Sequence, residues 1–309
     1  MADERVLVTG ASGFVGPHVV AALIRAGYRP RLAQRSQKPV PAGAEAVVTG
    51  DLMSPVDWRT ALEGIDHVVH MAGLAHAGPG LDEALYRRLN TEATLELARA
   101  ARAAGVQRFV YLSSIKALTD AVDGPPLRED RQPAPGDAYG RSKLAAEQGL
   151  AALDLDWVAL RPVLIYGPGV KANMAALLKL ARLPVPLPFG GLKAPRSLLA
   201  VENLASAILF ALTPACPARQ SYALSDPDPI SVSDMLAAMR AGLGRGPGLL
   251  PMPEAWLRRL ARLAGREDTF LKLAGSLVAR PERLLSAGWR PQVETKAALA
   301  HLAASSRAG

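Results

Sequence analysis

Cysteine is nearly missing from this chain of 309 residues. Cys216 is the single one, which excludes a disulfide framework and any CxxC zinc or redox pair. Histidine is scarce. The five (His18, His67, His70, His76, His301) show no HExxH or comparable spacing, so no metal centre is expected. No run of about 18 apolar residues is available to span a membrane. There are no repeats and no low-complexity linker. Half of the residues are hydrophobic and 21% are charged, which excludes a disordered or collagenous chain. Met1-Ala2-Asp3-Glu4-Arg5 is acidic and runs straight into an apolar stretch, unlike a signal peptide, so a soluble cytoplasmic protein is expected.

Basic residues are in excess. Lys and Arg outnumber Asp and Glu by 36 to 28, for a net charge of +8. That balance suits an anionic partner: nucleic acid, a membrane surface or a phosphorylated small molecule. Short apolar runs alternate with amphipathic ones. Val6–Val8, Arg31–Ala33, Ala46–Val48, Val68–Met71, Phe109–Leu112 and Trp157–Leu160 read as strands. Val19–Ala26, a continuous stretch from about Leu81 to Ala104, and Tyr139–Leu153 read as helices between them. The alternation predicts an α/β fold with a doubly wound parallel sheet. Beyond Arg161-Pro162 the texture changes. Residues 183–195 resist a regular reading; 201–211, 231–243 and 253–264 read as helices and 221–224 as a strand.

Thr9-Gly10-Ala11-Ser12-Gly13-Phe14-Val15-Gly16 joins the first strand to the first helix. Glycines there permit a tight turn, close approach of a pyrophosphate and close helix–sheet packing, and the helix N-terminus offers N–H groups to phosphate. The residue after the second strand decides which dinucleotide fits. An acid there would hold a ribose 2′-hydroxyl and repel a 2′-phosphate; this chain has Gln34 followed by Arg35, so NADP(H) is expected over NAD(H). The plain alternative is that Arg35 is a solvated surface residue. Asp51, in Gly50-Asp51-Leu52, either reaches the adenine amino group or caps the turn at Ser54.

Tyr139-Gly140-Arg141-Ser142-Lys143 opens a helix, and a spacing of four puts Tyr139 and Lys143 on one face. A neighbouring ammonium is expected to pull the phenol pKa down from about 10, making a usable acid/base group. Ser113 and Ser114 end the fifth strand, where a serine hydroxyl can hold a reacting oxygen.

With the glycine turn, His70-Met71-Ala72-Gly73, Asn90, Ser113-Ser114, Tyr139–Lys143, Arg161-Pro162, Tyr166-Gly167-Pro168-Gly169 and Gly288-Trp289-Arg290-Pro291 in order along the chain, the sequence resembles an extended short-chain dehydrogenase/reductase. Within that superfamily it resembles the nucleotide-sugar epimerase/dehydratase/reductase family. The resemblance implies a Rossmann domain over 1–165 and a substrate-binding lobe over 166–309, interleaved so that a strand and helix near 197–225 return to the first part. It implies a homodimer through a helix bundle. It implies Ser114 and Tyr139 on the substrate oxygen, with Lys143 on Tyr139 and the nicotinamide ribose. The cofactor site it implies takes in Gly10, Ser12, Gly13, Phe14, Val15, Gly16, Gln34, Arg35, Asp51, Leu52, Met71, Ala72, Gly73, Asn90, Tyr139, Lys143 and Pro162.

Family dehydratases carry Asp-Glu after the catalytic Ser/Thr; Ile115 and Lys116 stand there, so dehydration is not expected. Asn173 and Arg196 match the family's diphosphate-holding Asn and Arg, with Lys171 adding charge; each also has a plain reading, Asn173 as a helix cap and Arg196 as a surface residue. Leu164 replaces an Asn that many members use on the sugar. With Lys116 beside Ser114, the substrate set is Ser114, Lys116, Tyr139, Asn173 and Arg196. The likeness is greatest to bacterial UDP-glucose or UDP-N-acetylglucosamine 4-epimerases and UDP-4-keto-6-deoxy-N-acetylhexosamine 4-reductases of surface polysaccharide synthesis. Arg35 tips the expectation to the reductase, acting on a UDP-sugar. A reductase of apolar ketones and a non-catalytic dinucleotide sensor are the other readings. Nucleic acid is no longer expected. The segment Glu254–Gly265 sets Trp256, Leu257, Leu260 and Leu263 against Arg258, Arg259 and Arg262. It suits an anionic membrane surface, but the favoured reading is a lobe helix with a wet Arg face.

Overall fold

The computed structural model describes residues 3–74, 81–119, 124–170 and 172–306. His76 and Lys171 lie outside the described residues. The first half runs β1 (Arg5–Thr9), α1 (Gly16–Arg25), β2 (Arg29–Gln34), β3 (Glu45–Val48), α2 (Arg59–Leu62), β4 (His67–His70), α3 (Glu83–Tyr86), α4 (Ala93–Ala103), β5 (Arg108–Leu112), α5 (Ala138–Ala151) and β6 (Trp157–Pro162). The second runs β7 (Leu164–Tyr166), α6 (Ala172–Arg182), β8 (Pro195–Arg196), β9 (Leu198–Ala200), α7 (Val201–Ala211), β10 (Gln220–Leu224), β11 (Ile230–Ser231), α8 (Val232–Gly242), α9 (Glu254–Leu263), α10 (Glu267–Ala274), α11 (Glu282–Ser286) and α12 (Thr295–Ser305).

Seven of these strands form one parallel sheet in the order β10-β6-β5-β4-β1-β2-β3. This is the α/β doubly wound sheet that the alternating pattern predicts. The order reverses between β1 and β4, so the crevice for a ligand opens at the C-terminal ends of those strands. Their register there pairs Thr9 with His70. Side chains alternate across the sheet with period two. Val6, Val8, Val69, Val110 and Val158 face α1 and α7 and pack on Val19, Leu23, Leu204 and Ile208. Leu7, Val68, Phe109, Tyr111 and Ala159 face the other way, onto Leu97, Ala101, Ala146 and Leu150. Both faces are covered there, which is why β1, β4, β5 and β6 each carry a short apolar run.

A separate core, built from Met174, Leu177, Met235, Leu236, Met239, Leu299 and Leu302, belongs to the second half. The buried carboxylate of Asp226 joins the two regions. It accepts from Asn203 Nδ2 at 2.8 Å, the Ala200 N–H at 3.1 Å, Thr295 Oγ1 at 3.1 Å and Tyr166 Oη at 3.1 Å.

One reading of the sequence needs correction. The helix expected to run unbroken from Leu81 to Ala104 is interrupted by a wide π-type turn over Arg87–Glu92, which carries Asn90. Such widened turns relocate a side chain for other work. In α9, Leu257 packs into the core of the second half and Arg258, Arg259 and Arg262 are exposed, as in a lobe helix with a wet Arg face, but much of its apolar surface is open too. Leu257 is buried, while Trp256, Leu260 and Leu263 are 63%, 54% and 79% exposed.

Candidate active site

The glycine turn lies at the switch point. Gly10 has φ +74°, and a Cβ on it would come within 2.6 Å of Ala72 N and 2.7 Å of the Met71 carbonyl carbon. A Cβ on Gly16 would reach 2.2 Å from Ala11 O. These two glycines fold the turn flat against the strand ends. Ser12 and Gly13 are exposed at its crest, with Phe14 and Val15 partly covered. α1 follows with Pro17 in its first turn, no side-chain cap hydrogen bond and no acid in that turn, so its own first turn leaves the positive end uncompensated. A cradle closed to Cβ atoms, ending on an uncapped helix N-terminus, fits a dinucleotide diphosphate. Across from it, His18 Nε2 lies 3.3 Å from Pro168 O, which ties α1 to the Gly167-Pro168-Gly169 turn.

At the end of β2, Gln34 Oε1 accepts from Lys38 N at 2.8 Å, and Arg35 stands 78% exposed with Nε 3.5 Å from Asp51 Oδ2. Asp51 Oδ1 accepts from Met53 N at 3.0 Å, so that carboxylate also closes its own turn, with Leu52 half-buried behind it. Asn90, fully buried, spends its amide on the protein. Oδ1 accepts from Leu74 N at 2.7 Å, and Nδ2 donates to Leu74 O at 3.1 Å and Ser142 Oγ at 3.0 Å. The wide turn thus fixes the strand-end segment Met71-Ala72-Gly73 against α5. A Cβ on Gly73 would meet Asn90 Oδ1 at 2.7 Å and Lys143 Nζ at 3.4 Å. Below it, neutral His70 bridges Thr9 Oγ1 at 2.7 Å and Thr94 Oγ1 at 2.9 Å; full burial pulls its pKa down to about 3.

α5 starts with Asp137 as its cap, Oδ1 accepting from Gly140 N at 2.7 Å. Its other oxygen accepts from Lys116 Nζ at 2.5 Å. Lys116 is therefore an ion-paired brace between the Ser114 turn and α5. Ser114 caps that turn, its Oγ accepting from Lys116 N at 3.2 Å, and it hydrogen-bonds Tyr139. Contact is this close because residue 140 has no side chain: a Cβ there would lie 2.3 Å from Lys116 O and 3.0 Å from Pro135 Cβ. Gly140→Ala is expected to push the two segments apart, costing about 1–3 kcal/mol of stability. Its kcat should fall more than the same variant's loss of fold explains, read by comparing Tm with kcat.

Burial raises the Tyr139 pKa, and the Ser114 hydrogen bond opposes that rise. The sequence argument expected Lys143 to lower it. Instead the Lys143 ammonium donates to Leu112 O at 2.9 Å and lies 4.7 Å from the Tyr111 ring centroid. Desolvation lowers the lysine itself to about 8, against the attraction of Glu147. The phenol accordingly keeps its proton at neutral pH, the form that donates.

Glu147, one further turn along α5, escaped the reading of the sequence. It is buried and accepts from Ser113 Oγ at 2.5 Å, Ser221 Oγ at 2.9 Å and Arg161 Nη2 at 2.5 Å. The spacing Tyr139, Lys143, Glu147 at intervals of four was the available signal.

Other predicted residues lie apart from this cluster. Pro162 ends β6 and is buried. Asn173 is exposed in the first turn of α6, Arg196 donates from Nη2 to Gly275 O at 2.5 Å, and Leu164 is 50% exposed. Among the described residues no group of three His, Cys, Asp or Glu could hold a metal, and no helix is long and apolar enough to cross a membrane.

Residues 6–223 match the NAD dependent epimerase/dehydratase family. The chain is 33% identical over 301 residues to a UDP-glucose 4-epimerase of Vibrio cholerae, covering 93% of this chain and 91% of that one. It is 29% identical to a ceramide reductase of Caulobacter vibrioides, over 93% and 86%. Its backbone resembles MoeE5 in complex with UDP-glucose and NAD, with TM-score 0.72 and 25% identity over 98% and 99% of the two chains. It also resembles a UDP-N-acetylglucosamine 4-epimerase from Bacillus cereus, with TM-score 0.78 and 20% identity over 98% and 99%.

Proposed function

The chain belongs to the NAD dependent epimerase/dehydratase family of extended short-chain dehydrogenase/reductases, and from that membership we propose an NADP(H)-dependent enzyme acting at C4 of a UDP-sugar. The reaction we propose is reduction of a UDP-4-keto-6-deoxy-N-acetylhexosamine, by a cytoplasmic homodimer. The observation that carries the cofactor preference is the end of β2, where Gln34 offers no carboxylate and Arg35 stands 78% exposed. An exposed guanidinium there suits a 2′-phosphate. The dinucleotide, when bound, supplies the hydride. Ser114 and Tyr139 hold the carbonyl oxygen, and Tyr139 hands it the phenolic proton. The direction of the Tyr139 shift supports that role, since a phenol that keeps its proton is ready to act as an acid. Lys143 supplies positive charge beside it. Asn173 and Arg196 would hold the diphosphate, Arg196 by exchanging its bond to Gly275 O.

A second reading, a 4-epimerase that recycles one tightly held NAD, is favoured by the Vibrio cholerae relative. The two separate cleanly. The reductase consumes NADPH stoichiometrically with the 4-keto sugar and releases no dinucleotide on denaturation. The epimerase releases NAD on denaturation and interconverts UDP-glucose or UDP-N-acetylglucosamine without added cofactor. Consumption of NADPH only with an apolar ketone would overturn both.

The double variant Gln34→Asp with Arg35→Ala is expected to swing the NADPH/NADH ratio of kcat/KM by about 10- to 100-fold, the worth of one charge-assisted contact. An unmoved ratio would put the 2′-phosphate elsewhere.

A further inference from the structure

We propose that α9 is an interfacial membrane anchor, docking the protein reversibly on an anionic lipid bilayer. At 100° per residue, Leu263, Trp256 and Leu260 fall within one narrow stripe of the helix. All three are more than half exposed, whereas Leu257, about 60° further round the helix from Leu260, is buried and fastens α9 to the lobe. Arg258 and Arg262 lie on the opposite side. Both are ion-paired to Glu267 at the start of α10, Arg258 Nε at 2.8 Å and Arg262 Nε at 2.7 Å. Arg259 flanks the stripe and is exposed. Apolar side chains facing outward, with a cation beside them and further cations behind, form the arrangement that lies in the headgroup region of a bilayer.

Charge and size select the occupant. The chain carries a net charge of +8, and the three arginines of α9 outnumber the two carboxylates set against them, Glu254 and the paired Glu267, with Arg259 beside the stripe. A second copy would bring the same basic helix against itself, whereas an anionic leaflet attracts it. A helix of ten residues is about 15 Å long, so its stripe covers far less than the roughly 800 Å² per partner of a stable protein interface. A bilayer demands no such area and no shape complementarity.

The chain carries its own reporter. Of its four tryptophans, Trp58, Trp157 and Trp289 are no more than 5% exposed and Trp256 is 63% exposed. The experiment mixes the full chain with phosphatidylcholine/phosphatidylglycerol vesicles, and separately with pure phosphatidylcholine, at low and high salt. Sedimentation and tryptophan emission are read together. With anionic vesicles at low salt, the expected result is co-sedimentation with a blue shift and protection of Trp256 from acrylamide. Binding should be weaker in high salt and on pure phosphatidylcholine. The triple variant Trp256→Ser, Leu260→Ser, Leu263→Ser should bind about tenfold or more weakly, with the Tm of the parent because those side chains face solvent. Arg259→Glu should weaken binding without removing the stripe. No co-sedimentation at low salt overturns the proposal. So does binding that the triple variant keeps in full, or a Trp256 already protected from acrylamide in the free protein, which would mean that another copy covers it.

Discussion

Tyr139→Phe is expected to lower kcat by about 10²–10⁴, the usual worth of a positioned proton donor, with little change in dinucleotide affinity. The phenylalanine keeps the ring and its packing near Tyr86 and removes only the hydroxyl that hydrogen-bonds Ser114. Retained activity would show that the proton comes from elsewhere. Lys143→Met should cost comparable activity by a different route, and it carries a second signature. The lysine is buried with its pKa lowered to about 8, so below that pH the fold holds an ammonium that water would solvate better. In the unfolded chain the group titrates near 10.4, so the unfolded state binds more protons between pH 8 and that value. This burial cost is therefore fully present below about pH 8 and is relieved as the pH rises toward 10.5. Removing the charge lifts a cost of about 3 kcal/mol and forfeits a bond to Leu112 O worth about 1 kcal/mol. Lys143→Met is thus expected to be nearly inactive yet to melt about 2–4 °C above the parent at pH 7. The parent's activity should fall as the pH rises through about 8, where the cation is lost, and the variant's residual activity should lack that limb. A variant that melts below the parent would show that the Leu112 bond and the Tyr111 ring outweigh desolvation.

Much of the scaffold was legible because its signals are local. A strand buried on both faces is a short apolar run, and β1, β4, β5 and β6 read as such. The glycine turn shows itself because Gly10 and Gly16 sit where a Cβ has no room. Lys143 and Tyr139 show themselves by one helical interval. Features made by contacts distant in sequence did not show. Glu147 meets Ser113, 34 residues away, and Ser221, 74 away, and only the fold sets Arg161 opposite it. Asp226 is surrounded by donors from α7, β7 and α12 in the same way. The wide turn at Asn90 was hidden because Arg87–Glu92 has ordinary helix-forming composition; the buried bond from Asn90 to Ser142 accompanies the departure. The exposure of Trp256, Leu260 and Leu263 on α9 did not show for a related reason. An amphipathic pattern says which side chains agree with one another, but not whether protein or solvent lies against them.

Glu147→Gln is expected to destabilise the protein by about 3–5 kcal/mol, because it leaves Arg161 buried without a counter-charge. The Glu147 side chain is 4% exposed and that of Arg161 8%, so water cannot make good the loss. Replacing both, Glu147→Leu with Arg161→Met, removes the unpaired charge and should recover most of the stability, since apolar pairs of similar volume often replace buried ion pairs without loss. What it should not recover is the pH profile. Glu147 is the negative charge that holds the Lys143 pKa up against desolvation. Without it the ammonium is disfavoured further, so the basic limb of activity moves below about 8. Ser113, next to Ser114, also loses the carboxylate that fixes its hydroxyl at 2.5 Å. A double variant that folds like the parent but carries a displaced limb and a reduced kcat makes Glu147 a positioning residue for the Tyr139–Lys143 pair. A double variant with the parent's limb and kcat makes it a purely structural ion pair, joining α5 to β6 and to the edge strand β10.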